Sequence, residues 1–536
     1  MTETPAGASS AERAISAAFL AMAAVCGVAA FVGLDASGYW IDELFSLFVT
    51  DHDGGLGEVM RRALTDTHPP AYYFIIHEWM RLFGSSETAT RAFSAICATA
   101  ALPALFFGLR GSFSLTARSF AMALAAGSKV FFEQSQNMRS YGLALLISSG
   151  LLAAALAIHR RLQAGERVSA SLMAGSWALG LLGSFVHFYI FLAVGASHLF
   201  LLLGARTARQ RAAIVLSGLS IAGLMAIYVV SLLGASQQDF HHMWFSNKAS
   251  VLIKQALGGV TQSWSGLAIG GIVLLVLAPW ADRWRAADGR PPPAIPSPPL
   301  APLQLCGLVI LGTVLGGLMV SFALAPSFGK RNLMILAPFF WALAAWLYDA
   351  VGPDWRRGPS RVLIGLLLAV TAANALTVRA RLLPRNEEWR ASAAYVASLP
   401  ACAGQPIPVV IPFLFGPSTP FFRTLARERF FGRYDIQPAR LQPLTPRELS
   451  GDGASPAVRA LLHARATTAA CPILAWGVHD VAKHELPQLR RGIAKAAGVP
   501  VAQVRVHAFA DYKVRLLGFA KRRDRAFVFE RDPSVG

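Results

Sequence analysis

Two adjacent carboxylates, Asp42 and Glu43, stand in an aromatic stretch, Tyr39-Trp40-Ile41-Asp42-Glu43-Leu44-Phe45-Ser46, directly after the first apolar run. An acid beside hydrocarbon is costly and tends to point into a protein cavity or toward a partner. Neighbouring helical residues diverge by about 100°, so one acid of the pair is expected to face a reaction centre. Capping of a helix start is the plainer account of either. Further on, Thr67-His68-Pro69-Pro70-Ala71-Tyr72-Tyr73 sets a rigid double proline before a helix start. His68 and Tyr73 are candidates for positioning a ligand, against a purely structural, hydrogen-bonded histidine.

Cations form the second group. Glu133-Gln134-Ser135-Gln136-Asn137-Met138-Arg139-Ser140-Tyr141 is a polar patch between two apolar runs. Arg139 is its phosphate candidate, because a guanidinium grips two oxygens in a fork and keeps its charge. Gly329-Lys330-Arg331-Asn332 opens a later apolar run, and backbone N–H groups at that helix start are expected to add to the pull of Lys330 and Arg331 on a phosphate. Tyr141 and His187, the latter in Val186-His187-Phe188-Tyr189, complete the positioning set. For any one cation, snorkelling to the interface is the ordinary account; several on one face with a carboxylate point to a site.

The elements that must hold these residues are membrane spans. The chain has 536 residues, a mean hydropathy of +0.47, 54% hydrophobic residues and only 15% charged ones, too few charges for a water-facing surface throughout. The net charge of +19 does not point to nucleic acid, since no zinc-finger, RRM or basic-zipper pattern is present. About eleven runs can cross roughly 30 Å of hydrocarbon: near 14–34, 89–109, 115–132, 141–158, 169–186, 188–204, 212–233, 265–280, 303–325, 332–350 and 361–378. Pro70 to Phe83 is too short and carries His77, Glu78 and Arg81, so it is expected to lie along the surface. With that parity Arg110, Arg118, Arg160, Arg161, Arg167, Arg206, Arg209, Arg211, Arg283, Arg285, Arg290, Arg356, Arg357 and Arg361 share one side, which positive-inside makes cytoplasmic. Every candidate site residue then falls on the external side.

The expected architecture is an α-helical polytopic membrane protein with a C-terminal soluble α/β domain. Residues 1–378 form the transmembrane domain, with an external first loop, 35–88, bearing the acidic pair; residues 379–536 form the external domain. The stretch Arg290 to Pro302 is a Pro-rich spacer. From Arg379 onward helical segments (387–399, 486–497) mix with apolar or alternating ones (408–413, 471–476, 504–509, 512–519). This tail holds 24 Lys/Arg against 12 Asp/Glu, which suits anionic lipid surfaces or plain solubility. Cys26, Cys97 and Cys306 lie in apolar runs as small buried hydrophobes. Cys402 and Cys471 could pair if the tail faces an oxidising compartment. The stretch from Gln237 to Ser263, with His241, His242, Trp244 and Lys248, is a candidate cover over a substrate.

The order of these elements resembles the GT-C class of integral-membrane glycosyltransferases, the superfamily of the protein O-mannosyltransferases and lipid A aminoarabinose transferases. The resemblance spans most of the chain. It rests on Trp40-Ile41-Asp42-Glu43, His68-Pro69-Pro70 with Tyr72-Tyr73, Phe83-Gly84 with Glu87 and Arg91, Gln134 through Arg139 with Tyr141, His187-Phe188-Tyr189, Arg331 with Pro338, and Glu388-Trp389-Arg390. It implies an inverting enzyme of the bacterial inner membrane. Such an enzyme takes a hexosyl or pentosyl group from a polyprenyl-phosphate carrier and gives it to a glycolipid, polysaccharide or protein at the periplasmic face. Asp42 is then the general base, Glu43 its helper or acceptor positioner, and Arg139, Lys330 and Arg331 the binders of the leaving phosphate. Some relatives hold a divalent metal beside the acidic pair, for which Asp42, Glu43 and His68 could serve; no spacing here is diagnostic of a metal site. Competing readings are a transporter or lipid flippase for a charged envelope substrate, which would place ionisable groups mid-span and repeat its halves, and a non-enzymatic scaffold acting through the tail.

Overall fold

A computed structural model describes residues 9–51, 53–64, 68–235, 247–263, 298–323, 326–352, 358–405, 407–410, 441–444, 455–467, 471, 473–476, 481–514, 519–532 and 534. The chain divides into two compact units. A membrane unit comprises Met1–Val32, Asp53–Val378 and Leu516–Gly518; a tail unit comprises Gly33–His52, Arg379–Arg515 and Phe519–Gly536.

The membrane unit is helical: α1 (Ser10–Ala29), α3 (Gly55–Ala63), α4 (Ala71–Phe83), α5 (Glu87–Gly108), α6 (Leu115–Ala126), α7 (Lys129–Gln134), α8 (Tyr141–Ala164), α9 (Ala170–Val186), α10 (Phe188–Gly204), α11 (Ala208–Ala235), α12 (Ala249–Ser263), α13 (Leu300–Ala323), α14 (Ala337–Val351) and α15 (Gly358–Ala375). Six stretches among the described residues are long and apolar enough to cross a membrane, Ser10–Ala29, Glu87–Gly108, Tyr141–Ala164, Ala208–Gly234, Leu300–Ala323 and Asn332–Val351. Shorter apolar helices occupy four more of the expected spans; the run 265–280 and most of the Pro-rich spacer lie outside the described residues. Large apolar side chains such as Leu216, Ile227, Val230 and Met319 are exposed, as lipid-facing residues are. The chain is a multi-pass membrane protein.

Serines set many of the helix starts. Ser9, Ser86, Ser114, Ser128 and Ser169 each accept the N–H three residues on, from Glu12, Ala89, Ala117, Phe131 and Leu172. Ser128 corrects one expectation. The run 115–132 is not one span, because α6 stops at Ala126 and Ser128 caps a separate short helix, α7. Hydropathy is blind to a cap inside an apolar run. Helix α4 has 13 residues and is about 20 Å long at 1.5 Å per residue, too short to span. Residues 249–263, read as part of a cover, form helix α12, while 236–246 with His241, His242 and Trp244 lie outside the described residues.

The tail unit starts with α2 (Ile41–Thr50), and continues with α16 (Trp389–Ser398), β1 (Ile407–Val410), β2 (Leu441–Leu444), α17 (Pro456–Thr467), β3 (Ile473–Trp476), α18 (Val481–Ala497), β4 (Val504–Val514) and β5 (Ala520–Arg531). The strands form one mixed sheet in the order β2-β1-β3-β5-β4. β1 runs parallel to β2 and β3, while β5 is antiparallel to β3 and β4. Helices α17 and α18 cover one face through Val458, Leu462, Leu489 and Ile493, which meet Ile473, Phe527 and Phe529. The expected α/β tail is therefore present, with differences. Segments 504–509 and 512–519 are not two strands; β4 runs through both as far as Val514, with a register shift at Phe509/Ala510. Strand β5, helix α17 and β2 escaped the sequence. Cys402 and Cys471 form a disulfide with Cα atoms 4.6 Å apart, and Cys26, Cys97 and Cys306 are buried and outside any disulfide.

Candidate active site

The membrane unit gathers five of the expected residues. Pro70 opens α4, which buries Tyr72 and Tyr73 and leaves His68 just ahead of the helix. Arg139 comes from the turn between α7 and α8. That turn is held from three directions. The Ser94 hydroxyl of α5 donates to the Asn137 carbonyl at 2.7 Å, Gln136 Nε2 donates to the Ala30 and Val32 carbonyls, and Asn137 Nδ2 donates to Gln134 Oε1 at 3.3 Å. Gly142 makes the close approach to α5 feasible, since a Cβ there would lie 2.8 Å from the Ser94 carbonyl oxygen.

Arg139 itself is 6% exposed. Its Nη2 lies 3.2 and 3.1 Å from the two ring nitrogens of His68, and its Nη1 reaches the Tyr73 hydroxyl at 3.5 Å. The His68 carbonyl accepts from the Tyr228 hydroxyl at 3.5 Å. The His187 ring stands 6.2 Å from His68 and 5.7 Å from Tyr141, centroid to centroid. His187 also caps α10: its Nδ1 accepts the Tyr189 N–H at 3.2 Å, which places the ring proton on Nε2. Burial, then the nearby His68 and Arg139, push this imidazole down to about 3. The ring is neutral beside Arg139 and adds no competing charge.

Lys330 and Arg331 are exposed. Their turn meets the cluster through Asn332, whose Nδ2 donates at 2.7 Å to the Ser327 carbonyl, the same carbonyl that accepts the Tyr189 hydroxyl at 3.2 Å. The backbone N–H groups expected there for phosphate are engaged within the protein. Lys330 N–H donates to Gln255 Oε1 on α12, Asn332 and Leu333 N–H to the Gly329 carbonyl, and Met334 N–H to Arg331. Asn332, Tyr189 and Tyr228 were missed as site residues. Asn332 and Tyr189 stand beside singled-out residues, but Tyr228 looks like any tyrosine of an apolar run. Arg91, for which the sequence leaves snorkelling or pairing with an acid, is buried at 2% exposed.

Sidedness is visible along α8. Its first residue, Tyr141, belongs to the cluster, whereas Arg160 near its other end, about 30 Å away at 1.5 Å per residue, donates to the Ser112 hydroxyl. Arg206 Nη2 donates to Gln163 Oε1 at that same end, and Ser114 binds the Asp349 carboxylate through its N–H and hydroxyl.

In the tail unit the acidic pair opens α2. Glu43 is fully buried and its Oε2 accepts the Trp40 N–H at 3.3 Å, so it caps its own helix. Asp42 is half-buried and stands in the first turn of α2. Among the described residues no group of three His, Cys, Asp or Glu side chains is gathered for a metal ion.

Residues 67–232, just under a third of the chain, match the family described as dolichyl-phosphate-mannose-protein mannosyltransferase. That match covers the segment that builds the Arg139 cluster. His68, Tyr73, Arg139, Tyr141 and His187 all fall within it, and so do Tyr189 and Tyr228. No curated protein matches in sequence. Among solved structures, the chain is similar to ArnT from Cupriavidus metallidurans bound to undecaprenyl phosphate, at 13% identity and TM-score 0.43 over 96% of this chain and 98% of that one. It is similar to the Archaeoglobus fulgidus oligosaccharyltransferase tethered with an acceptor peptide, at 10% identity and TM-score 0.41 over 94% and 74%. A third is the mycobacterial arabinofuranosyltransferase AftD, at 14% identity and TM-score 0.45 over 96% and 40%.

Proposed function

We propose that this chain is an inverting glycosyltransferase of the bacterial inner membrane that moves a sugar from a polyprenyl-phosphate carrier to an acceptor at the periplasmic face. The observation that carries this reading is that the family match over 67–232 contains the buried Arg139 with His68 and Tyr73 at its guanidinium and His187 beside His68. A guanidinium fixed in this way stabilises the departing phosphate more than the bound ester, because negative charge grows on its oxygens in the transition state. In a single displacement the acceptor oxygen attacks the anomeric carbon opposite the phosphate, and the C–O bond to phosphate breaks with its electron pair. The acceptor proton passes to the Asp42 carboxylate. Glu43 holds the start of the helix that carries Asp42. Lys330 and Arg331 supply further positive charge to the phosphate, and Tyr141, beside His187, positions the substrate.

Two features support an external tail. A disulfide between Cys402 and Cys471 belongs to an oxidising compartment, and the arginine-rich loops are on the side that positive-inside makes cytoplasmic.

The test combines chemistry with ligand identity. Native mass spectrometry of the detergent-purified protein is expected to show a polyprenyl phosphate or its glycoside on the wild type and not on an Arg139→Ala/Arg331→Ala variant. Asp42→Asn is expected to keep the lipid and assemble normally while losing transfer by about 10²–10⁴-fold, the usual worth of a general base. Undiminished turnover by Asp42→Asn would remove the base assignment, and only bulk phospholipid on both proteins would remove the carrier.

A further inference from the structure

We propose that the buried ionic network of the tail, Asp511–Arg525–Glu387 with Arg523, is a positioning device for the acidic helix α2. This rests on the reading of Asp42 as the base. The Asp511 carboxylate on β4 is fully buried and accepts from Arg523 Nε at 2.8 Å and from Arg525 Nε at 2.6 Å. Arg525 Nη1 donates to Glu387 Oε1 at 2.6 Å, both side chains being nearly inaccessible. Burying such a set is costly, and apolar residues of similar volume hold a core at least as well. What the network supplies in addition is direction, because forked guanidinium contacts tolerate little displacement.

Its direction runs to segment 384–390. The Tyr512 N–H of β4 donates to the Pro384 carbonyl at 2.8 Å, and Arg523 Nη2 donates to the Arg385 carbonyl at 2.9 Å. The same segment holds the loop that precedes α2. The Arg385 N–H donates to the Ser37 hydroxyl at 2.7 Å, Asn386 Nδ2 to the Gly38 carbonyl at 3.1 Å, and Arg390 Nη2 to the Asp35 carbonyl at 2.6 Å. Residue 385 is thus gripped by the sheet through its carbonyl and by the loop through its amide. At the loop's beginning Gly33 has φ +67°, and a Cβ there would lie 2.5 Å from the Arg381 carbonyl; a side chain would push the loop off. Trp40, the cap of α2, follows Gly38 by two residues. A shift of β4 and β5 is therefore handed through one peptide unit to the helix that bears Asp42.

Three variants separate positioning from folding. Ser37→Ala/Asn386→Ala removes two of the three loop links and leaves every buried ion paired; Arg525→Met cuts the network and Arg525→Lys restores charge without the fork. Steady-state transfer with a lipid-linked sugar is expected to show kcat down on the order of 10- to 100-fold for Ser37→Ala/Asn386→Ala, as misplacement by about 1 Å produces, with KM for the lipid donor and the thermal midpoint unchanged. Arg525→Lys should recover part of what Arg525→Met loses. In an Asp42→Asn background, the loop variant should cost nothing further. Equal losses in both backgrounds, or losses that follow only the folded fraction, would overturn the positioning role and leave the base assignment intact. Full turnover by Asp42→Asn alone would overturn the base assignment and this role with it.

Discussion

Arg139 shows why residue type matters at this site. Its planar fork spans His68 and Tyr73 at the same time, a geometry that the point charge of a lysine does not reproduce. Arg139→Lys is expected to lower kcat by about 10- to 100-fold, the worth of one charge-assisted hydrogen bond at about 1.5–3 kcal/mol, while the protein assembles; donor-saturation kinetics on the purified variant check this. His187 leads to a pH prediction. Its imidazole titrates at about 3 in the folded protein because burial disfavours the charged form, against about 6.5 in an unfolded chain. The unfolded state therefore takes up the proton first. The stability lent by the neutral ring is complete above about pH 6.5 and is lost as pH falls from there toward 3. Thermal unfolding at pH 7.5 and pH 5 should show a larger acid loss for wild type than for His187→Asn. Arg139, His68 and His187 were legible as candidates because polar groups between apolar runs are conspicuous. That Glu43 is a cap and Asp42 is half-buried was not, since two adjacent acids read alike until a helix start is placed.

At the level of elements, the membrane helices are positioned by small residues. α5 meets α8 so closely at Gly142 that any side chain there collides with the Ser94 backbone. Gly142→Val is expected to destabilise the membrane unit by about 1–3 kcal/mol, the usual cost of overpacking, and to weaken lipid-donor binding because the Arg139 turn hangs on Ser94 and Asn137. Thermal unfolding together with native mass spectrometry of the variant would show both effects. Gly317 likewise faces Tyr189, where a Cβ would come within 2.6 Å of the ring. Most spans were legible because about 20 apolar residues can do little else than cross or fill a membrane core. The tail was less so. Strand β5 reads Ala-Lys-Arg-Arg-Asp-Arg before Ala526, a run with no alternation of polarity. It is a strand because β4 and β3 pair with it, and its Arg523 and Arg525 are accommodated by Asp511 on the neighbouring strand and by Glu387, 138 residues before Arg525.

Across the whole molecule, the disulfide closes the longest covalent constraint, joining Cys402 and Cys471 over a separation of 69 residues. Chain-entropy arithmetic puts its stabilisation at about 4 kcal/mol. Cys402→Ser/Cys471→Ser should lower the unfolding midpoint of the tail, read by hydrogen exchange in α17, α18 and β3, and leave exchange in α8 unaltered. An equal loss of protection in both units would show that they unfold as one.

The sequence by itself determined that this is a multi-pass membrane protein, where its long apolar helices lie, and that an α/β tail follows. These properties are local: hydropathy, loop charge and short motifs are summed over neighbouring residues, and the bilayer acts on each run separately. Only the tertiary structure decided which residues meet. It brought His68, Arg139, His187 and Asn332 to one place from four separated segments, and grouped the acidic loop 33–52 with the tail some 340 residues later in the chain. Such contacts depend on helix-to-helix distances set by glycines and on hydrogen bonds to backbone carbonyls, and neither leaves a periodic signal in the sequence.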